Sequence, residues 1–432
     1  MNEIVLKNPI TNAIKDSINK SFNRLNFAVP FLSSFAISIF NTTHSKRIIE
    51  RRLVTRFDDS SISSFDLKTL KSLIDFGFEI RFDNNIHLKL YITDNEAFVS
   101  SSNLTKGGFE DNVELTIKVD SENKQNCIEI FNEIWENSKG NRITKELIAA
   151  NWIKYEVLRK REQFVKNGNK NIAINQLEVG DLDIEQVIGE IFNQNKDYSK
   201  IRSLVFEANK IREHKKDRLK RGFDSELFYA PEGHPKRRDN LFYDFVYSYE
   251  GKVAGTGLRE FQFKTVFEHP DFEKVVAYIY PEMIGMKPWN LQDKSILLEF
   301  CNGIFDFNIP QYSEAIPIRL ASYFYPDIFL PIYKLEHLKL VCDTLGIITN
   351  AKTKGDRLFA YHTFLSEKLK PLPYDNYVKM YVSYNILYTI ELFNRLNNNE
   401  NYETILADYK EVWKKTIIKD GLKLLLKLKI AE

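Results

Sequence analysis

Residues 86–105 read IHLKLYITDNEAFVSSSNLT. The first half alternates. Ile86, Leu88, Leu90 and Ile92 are apolar, and His87, Lys89, Tyr91 and Thr93 stand between them. A period of two predicts a strand with one apolar and one polar face. On it His87 and Lys89 point the same way, about 7 Å apart. Asp94 and Asn95 carry turn chemistry, and residues 97–103 read as the return strand of a hairpin. Ser101 and Asn103 form a second i, i+2 polar pair there, and Glu114 and Thr116 form a third on the following strand, NVELTIKVD. Three adjacent strands can thus converge one polar face on a single point.

Imidazole, ammonium, hydroxyl and carboxamide groups together suit a phosphate. Lys89 brings the charge, Ser101 and Asn103 bring neutral donors, and His87 brings a nucleophile or proton carrier that works near neutral pH. The same set suits a metal poorly, because no second histidine or cysteine is close in sequence to His87. A hairpin with a solvated polar face would explain a His-x-Lys pair alone. It does not explain Asp94, Ser101, Asn103 and Glu114 as well.

The run His87-x-Lys89-x4-Asp94, followed by Ser101-x-Asn103, resembles the signature of the phospholipase D superfamily. Ser100 stands where that signature has a glycine before the serine. The continuation NLTKGGFEDNVEL is similar to the single-motif nuclease branch, which includes restriction endonucleases. The resemblance covers roughly residues 1–140. It implies metal-independent cleavage of a phosphodiester in two steps, through a phosphohistidine formed on a histidine such as His87. Lys89 and Asn103 would stabilise charge on the phosphoryl oxygens. Glu114 would orient the imidazole, and Asp94 would shape the turn rather than touch substrate. No cofactor is implied.

That mechanism needs two histidines. His44-Ser45-Lys46 has Arg51 at the aspartate position, His234-Pro235-Lys236 has Leu241, and His337-Leu338-Lys339 lies in a segment with helical spacing, where i and i+2 do not face each other. One half-site remains, so a two-fold homodimer is expected to bring two copies of His87 together.

At 432 residues the chain is long enough for two or three domains. The expected division is 1–145 for the nuclease domain, 146–225 for a helical basic connector, and 226–432 for a recognition or regulatory domain. Net charge is only +2, so nucleic acid would have to meet a local patch. Cys127, Cys301 and Cys342 are too scattered for a disulfide scaffold or zinc site. No signal peptide or membrane-spanning run is read, so a cytoplasmic protein with no membrane contact is expected. The fold class is α/β. An N-terminal mixed sheet with helices on both faces precedes the connector and a mainly helical (α+β) C-terminal domain. Helices are expected over residues 11–26, 375–396 and 402–430, and no internal repeat is read.

The connector ends in KIREHKKDRLKRGF. Its cations Lys210, Arg212, Lys215, Lys216, Arg218, Lys220 and Arg221 are candidates for phosphate-backbone contact, which positions nucleic acid without reading sequence. KRRDN at 236–240 adds to that charge. GTGLRE at 255–260 is no dinucleotide fingerprint. The segment from 322 to 347 resembles the non-GTPase region of methylation-dependent restriction systems. DNA is therefore the expected substrate, and an ATPase or other defence-system subunit a candidate partner in restriction or phage defence. A silent or autoinhibited DNA-binding scaffold of the same fold is the alternative. A lipid transphosphatidylase is disfavoured, since those enzymes carry two motifs in one chain or membrane segments.

Overall fold

The computed structural model describes residues 3–40, 48–59, 66–166, 172–176, 184–193, 199–247, 258–372 and 375–428. The His44-Ser45-Lys46 segment and the first half of GTGLRE lie outside them. The chain forms two compact units, Met1–Gln163 and Phe164–Glu432.

The first unit is built on an eight-stranded mixed sheet. The chain enters it as β1 (Ile4–Lys7), then runs through α1 (Thr11–Asn19), β2 (Arg24–Ala28), α2 (Phe35–Phe40), β3 (Glu50–Thr55), α3 (Leu67–Asp75) and β4 (Glu79–Phe82). A meander follows: β5 (Leu90–Thr93), β6 (Ala97–Ser100) and β7 (Leu115–Lys118). The unit closes with α4 (Ser121–Asn137), β8 (Arg142–Ile143) and α5 (Lys145–Lys166). Strand order across the sheet is β1-β7-β6-β5-β2-β3-β4-β8. β2, β3 and β4 are parallel, and every other pairing is antiparallel.

Both faces of the sheet are covered. On one, Phe27 and Tyr91 pack with Ile14 and Ile18 of α1, Ile39 of α2 and Leu70 and Leu73 of α3. On the other, Ala28, Val54, Leu90 and Ile92 pack against Cys127, Phe131 and Trp135 of α4. The alternation around residue 90 therefore sorts side chains between two cores rather than between core and water. A central strand with helices on both sides has no solvated face. Tyr91 and Thr93, read as part of a polar face, are buried.

Two boundaries differ from expectation. The helix read over 11–26 ends at Asn19, because Arg24–Ala28 is a central strand paired on both sides. The first unit also extends past residue 145, since Ile148 and Tyr155 of α5 belong to its core.

The second unit is mainly helical. It includes α6 (Ile184–Asn193), α7 (Ser199–Leu219) and a two-stranded sheet of β9 (Ile174–Gln176) and β10 (Ile347–Thr349). The long helix Asn376–Asn397 packs against Val412–Lys427. The helix read over 402–430 is broken at Tyr409, which is extended so that its hydroxyl can donate to Glu391 Oε1 at 2.6 Å. No helix among the described residues is long and apolar enough to cross a membrane.

Candidate active site

β2 is where the sheet changes from antiparallel pairing, with β5, to parallel pairing, with β3, and the first residues of β5 lie beside its carboxyl end. In α/β sheets, ligands gather at such ends. His87 and Lys89 sit just before β5, where the chain has left the ladder with β2 but still bonds β6: Ser100 N donates to the Lys89 carbonyl at 3.0 Å. His87 is exposed. Lys89 is only 8% exposed; its ammonium donates to the His87 carbonyl at 2.8 Å and stands 3.4 Å from both imidazole nitrogens. Burial holds this lysine below its usual range; the charge of Glu114 opposes that shift and Arg56 reinforces it.

Ser101 and Glu114 meet across the start of the β6–β7 pairing. The Ser101 hydroxyl donates to Glu114 Oε2 and accepts from Leu115 N at 3.1 Å. Asn112 Nδ2 donates to the other Glu114 oxygen at 3.4 Å. No hydrogen bond joins Glu114 to His87 among the described residues. Glu114 instead fixes Ser101 and supplies negative field to Lys89. Thr116, paired with Glu114 in the sequence, is buried and shares a 2.6 Å hydrogen bond with Ser100. Ser100 thus uses the side chain that a glycine would lack.

Asn103 follows Ser102, whose carbonyl accepts from the Tyr91 hydroxyl at 2.5 Å. That bond ties the segment to the face of β5 from which Lys89 projects. The Asn103 carboxamide oxygen is buried and has no hydrogen-bond partner among the described residues. Such an atom costs free energy unless something satisfies it. Behind Asn103 lies Gly108, so close that a Cβ there would stand 2.3 Å from the Asn103 carbonyl oxygen. Asp94 is placed as expected for a turn residue. Its carboxylate accepts from Phe22 N at 2.7 Å and Asn23 N at 2.8 Å, stapling the β5–β6 turn to the start of β2.

Two residues of this region are not visible in the motif. Arg56 follows β3, donates through Nε to the Ile86 carbonyl at 2.9 Å and lies over the Phe31 ring. Its position at the end of a parallel strand was the available signal. Gly108 was visible only as part of KGGF, with nothing to separate it from Gly107.

The basic helix needs correction. Arg212 and Lys215 are each 1% exposed and belong to the interior of the second unit. Arg212 donates to the Tyr377 hydroxyl at 2.9 Å, and Lys215 forms a buried ion pair with Asp244. Neither can reach a phosphate backbone. The rest are largely paired: Lys210 with Glu207, Lys216 with Glu213, Arg218 with Asp224 and Asp239, and Lys220 with Asp217. Arg221 is exposed. In 236–240, Lys236 pairs with Glu226 and Arg237 with Glu260. The decoy His337 lies on the helix Leu335–Thr344, as its spacing implied. Among the described residues no cluster of three or more His, Cys, Asp or Glu side chains could hold a metal ion.

Residues 14–135 match the family model described as "Cardiolipin synthase, PLD-like domain". Among solved structures, the chain is similar to the phospholipase D family member Nuc from Salmonella typhimurium, at 18% identity and a TM-score of 0.28, covering 33% of this chain and 96% of that one. It is also similar to NucT from Helicobacter pylori, at 14% identity and a TM-score of 0.26, covering 33% and 98%. A third similarity is to the archaeal chromatin protein TrmBL2, at 17% identity and a TM-score of 0.25, covering 33% and 55%. A comparison with curated protein sequences gave no match. The family match over residues 14–135 falls on the mixed sheet of the first unit, whose fold is phospholipase D-like.

Proposed function

We propose that the chain is a metal-independent endonuclease that cleaves DNA through a phosphohistidine on His87. The observation that carries this reading is the buried Lys89 ammonium beside the exposed His87 ring, 3.4 Å from its nitrogens. A cation held in a dry site next to a solvent-facing nucleophile is what attack on a phosphate diester requires.

An imidazole nitrogen of His87 attacks phosphorus and forms the P–N bond. The P–O bond to one sugar oxygen breaks, and that oxygen takes a proton from a second imidazole. Water then attacks the phosphohistidine, gives its proton to the second imidazole and releases His87. The second imidazole would be His87 of another copy of the chain, in a two-fold homodimer. Lys89 and Asn103 would hold the phosphoryl oxygens. Losing one such donor in an acyl-transfer enzyme costs about 10²–10³ in rate, and a comparable loss is expected here. Glu114 would act through Ser101 and through its field on Lys89, instead of orienting the histidine. Restriction or phage defence is the setting to which the motif's resemblance points.

The test is plasmid and phage DNA incubated with the protein in excess EDTA, beside His87→Ala and Lys89→Ala. Cleavage by wild type, none by His87→Ala and slowed cleavage by Lys89→Ala is the expected result. Cleavage that survives His87→Ala, or that needs restored magnesium, would refute the proposal.

A further inference from the structure

The second unit contains two matching corners. AYIYPEM at 277–283 and SYFYPDI at 322–328 share the order small-Tyr-x-Tyr-Pro-acid-apolar. In each, a helix ends at the second tyrosine. Tyr280 closes Phe272–Ile279 with φ −122 and ψ 76, and Tyr325 closes Ala315–Phe324 with φ −129 and ψ 64. The following proline dictates this end, because a residue before proline is driven out of the α region. Each tyrosine N–H still reaches back into its helix, Tyr280 to Val276 at 2.7 Å and Tyr325 to Ala321 at 2.9 Å.

The corners face one cavity of about 360 Å³, lined also by Gln292 and by Glu213, Lys216 and Lys220 from the end of α7 and just beyond it. The pairing of the corners is one-sided. The Tyr325 hydroxyl donates to the Ile279 carbonyl at 3.0 Å, whereas the Tyr280 ring stacks on Phe324 at 4.9 Å. Tyr280 is 2% exposed and its hydroxyl has no hydrogen-bond partner among the described residues. A buried polar group of this kind on a cavity wall is poised for a ligand.

Charge selects the ligand. Lys216 is held by Glu213 at 3.0 Å and Lys220 by Asp217 at 3.1 Å. Glu282 and Asp327, one from each corner, make no side-chain hydrogen bond or ion pair among the described residues, although Glu282 lies in the field of Lys220, and with Glu213 the carboxylates of the lining outnumber its lysines. The field agrees: burial first, then the charges of Glu282, Glu213 and Asp217, push the Tyr280 phenol above its ordinary range. The carboxylates are not gathered closely enough to chelate a metal.

We propose that the two Tyr-Pro-acid corners bind a small organic cation carrying a primary amine or guanidinium group. Glu282 and Asp327 accept from its nitrogens, the Tyr280 hydroxyl bonds to it, and the aromatic wall packs on its carbon chain. The proposal does not rest on the phosphodiester chemistry and stands whether or not that reading holds.

The test is calorimetric titration of the full chain, at constant ionic strength, with agmatine, putrescine and spermidine, beside magnesium chloride and inorganic phosphate. Saturable binding of at least one amine is expected. Glu282→Gln with Asp327→Asn should weaken it by about tenfold or more, since each removes a charge-assisted hydrogen bond. Tyr280→Phe should weaken it less, and Lys216→Gln should leave it equal or tighter. Melting curves would confirm that the variants are folded. No saturable binding of any of the three amines would overturn the proposal. So would binding indifferent to the carboxylate changes, an equal response to magnesium, or binding of phosphate in place of the amines.

Discussion

Gly107 and Gly108 are adjacent and chemically identical, yet the structure assigns them opposite tolerances. A Cβ on Gly107 would meet nothing closer than Asn112 Oδ1 at 3.4 Å. One on Gly108 would lie 2.3 Å from the Asn103 carbonyl oxygen and 2.9 Å from its nitrogen. These are backbone atoms and cannot swing aside as a flexible side chain would. Restoring ordinary contact, about 3.5 Å between non-bonded heavy atoms, needs a displacement of about 1 Å. The helical turn Gly107–Asp111 is held by Asn8, which donates to the carbonyls of Gly108 and Asn112 at 2.9 Å each, so Asn103 must do most of the moving. Overpacking of this sort costs about 1–3 kcal/mol of stability. A misplacement of about 1 Å in a reacting constellation costs about 10²-fold in rate. Gly108→Ala should therefore remain folded, melt lower and cleave DNA about a hundred times more slowly in EDTA. Gly107→Ala should keep full activity and gain up to about 1 kcal/mol through reduced chain entropy. Initial rates of plasmid nicking and a melting curve on each protein decide the matter. If Gly108→Ala cleaves as fast as wild type, or both alanines are equally impaired, Gly108 does not position Asn103.

Three further outcomes follow from the geometry. Lys89 is held below the ordinary lysine range of about 10.4, and in its proposed role the ammonium form speeds cleavage. Activity should thus fall on the alkaline side at a pH below that of a free lysine; an alkaline limb at or above it would contradict the assigned role. Lys215 and Asp244 form a buried ion pair, so Lys215→Met, which removes a buried cation facing that carboxylate, should destabilise the second unit by about 3–5 kcal/mol. A loss below 1 kcal/mol in urea melts would place the pair in water. Burial lowers the His362 imidazole to about 3, and its Nδ1 accepts from Leu330 N at 3.4 Å. Between pH 6.5 and about 3 the unfolded chain takes up a proton that the folded chain refuses. Stability contributed by this group is complete above that window and falls with pH inside it, by at most about 1.4 kcal/mol per unit. His362→Phe should remove that part of the acid slope, and an unchanged difference between the two proteins across the window would refute it.

Much of the site was legible because its spacing is tied to strand geometry. The i, i+2 pair His87 and Lys89 and the turn at Asp94 needed only the period of two. What could not be read was depth. Lys89 looks like any strand lysine until two layers of helices are placed on the sheet. Glu114 had an expected partner in His87, but the register of β6 against β7 gives it to Ser101. The basic helix shows the opposite error, in which charge density outweighed periodicity. Val205, Ala208, Arg212, Lys215 and Leu219 are all buried, and their three- and four-residue spacing marks one inward stripe of α7. The cations on that stripe could have been recognised as interior by their position among Val205, Ala208 and Leu219.

The β5–β6–β7 meander has a consequence for how the site comes into being. Its own closures are local: the Ser100–Thr116 bond spans 16 residues. The contacts that clamp it are remote, spanning 72 residues from Phe22 to Asp94 and 100 from Asn8 to Gly108. On chain-closure grounds, the step from 16 to 100 residues costs about 1.6 kcal/mol more entropy. Folding rate depends on the same quantity, since non-local pairings form late. The five candidate residues of the motif lie between 87 and 114, inside the cheaply closed segment, while the clamps arrive from the first two dozen residues of the chain. Chemistry and rigidity thus come from different length scales of one polypeptide: the reactive groups are gathered by neighbours in sequence, and their precision is set by strangers to them.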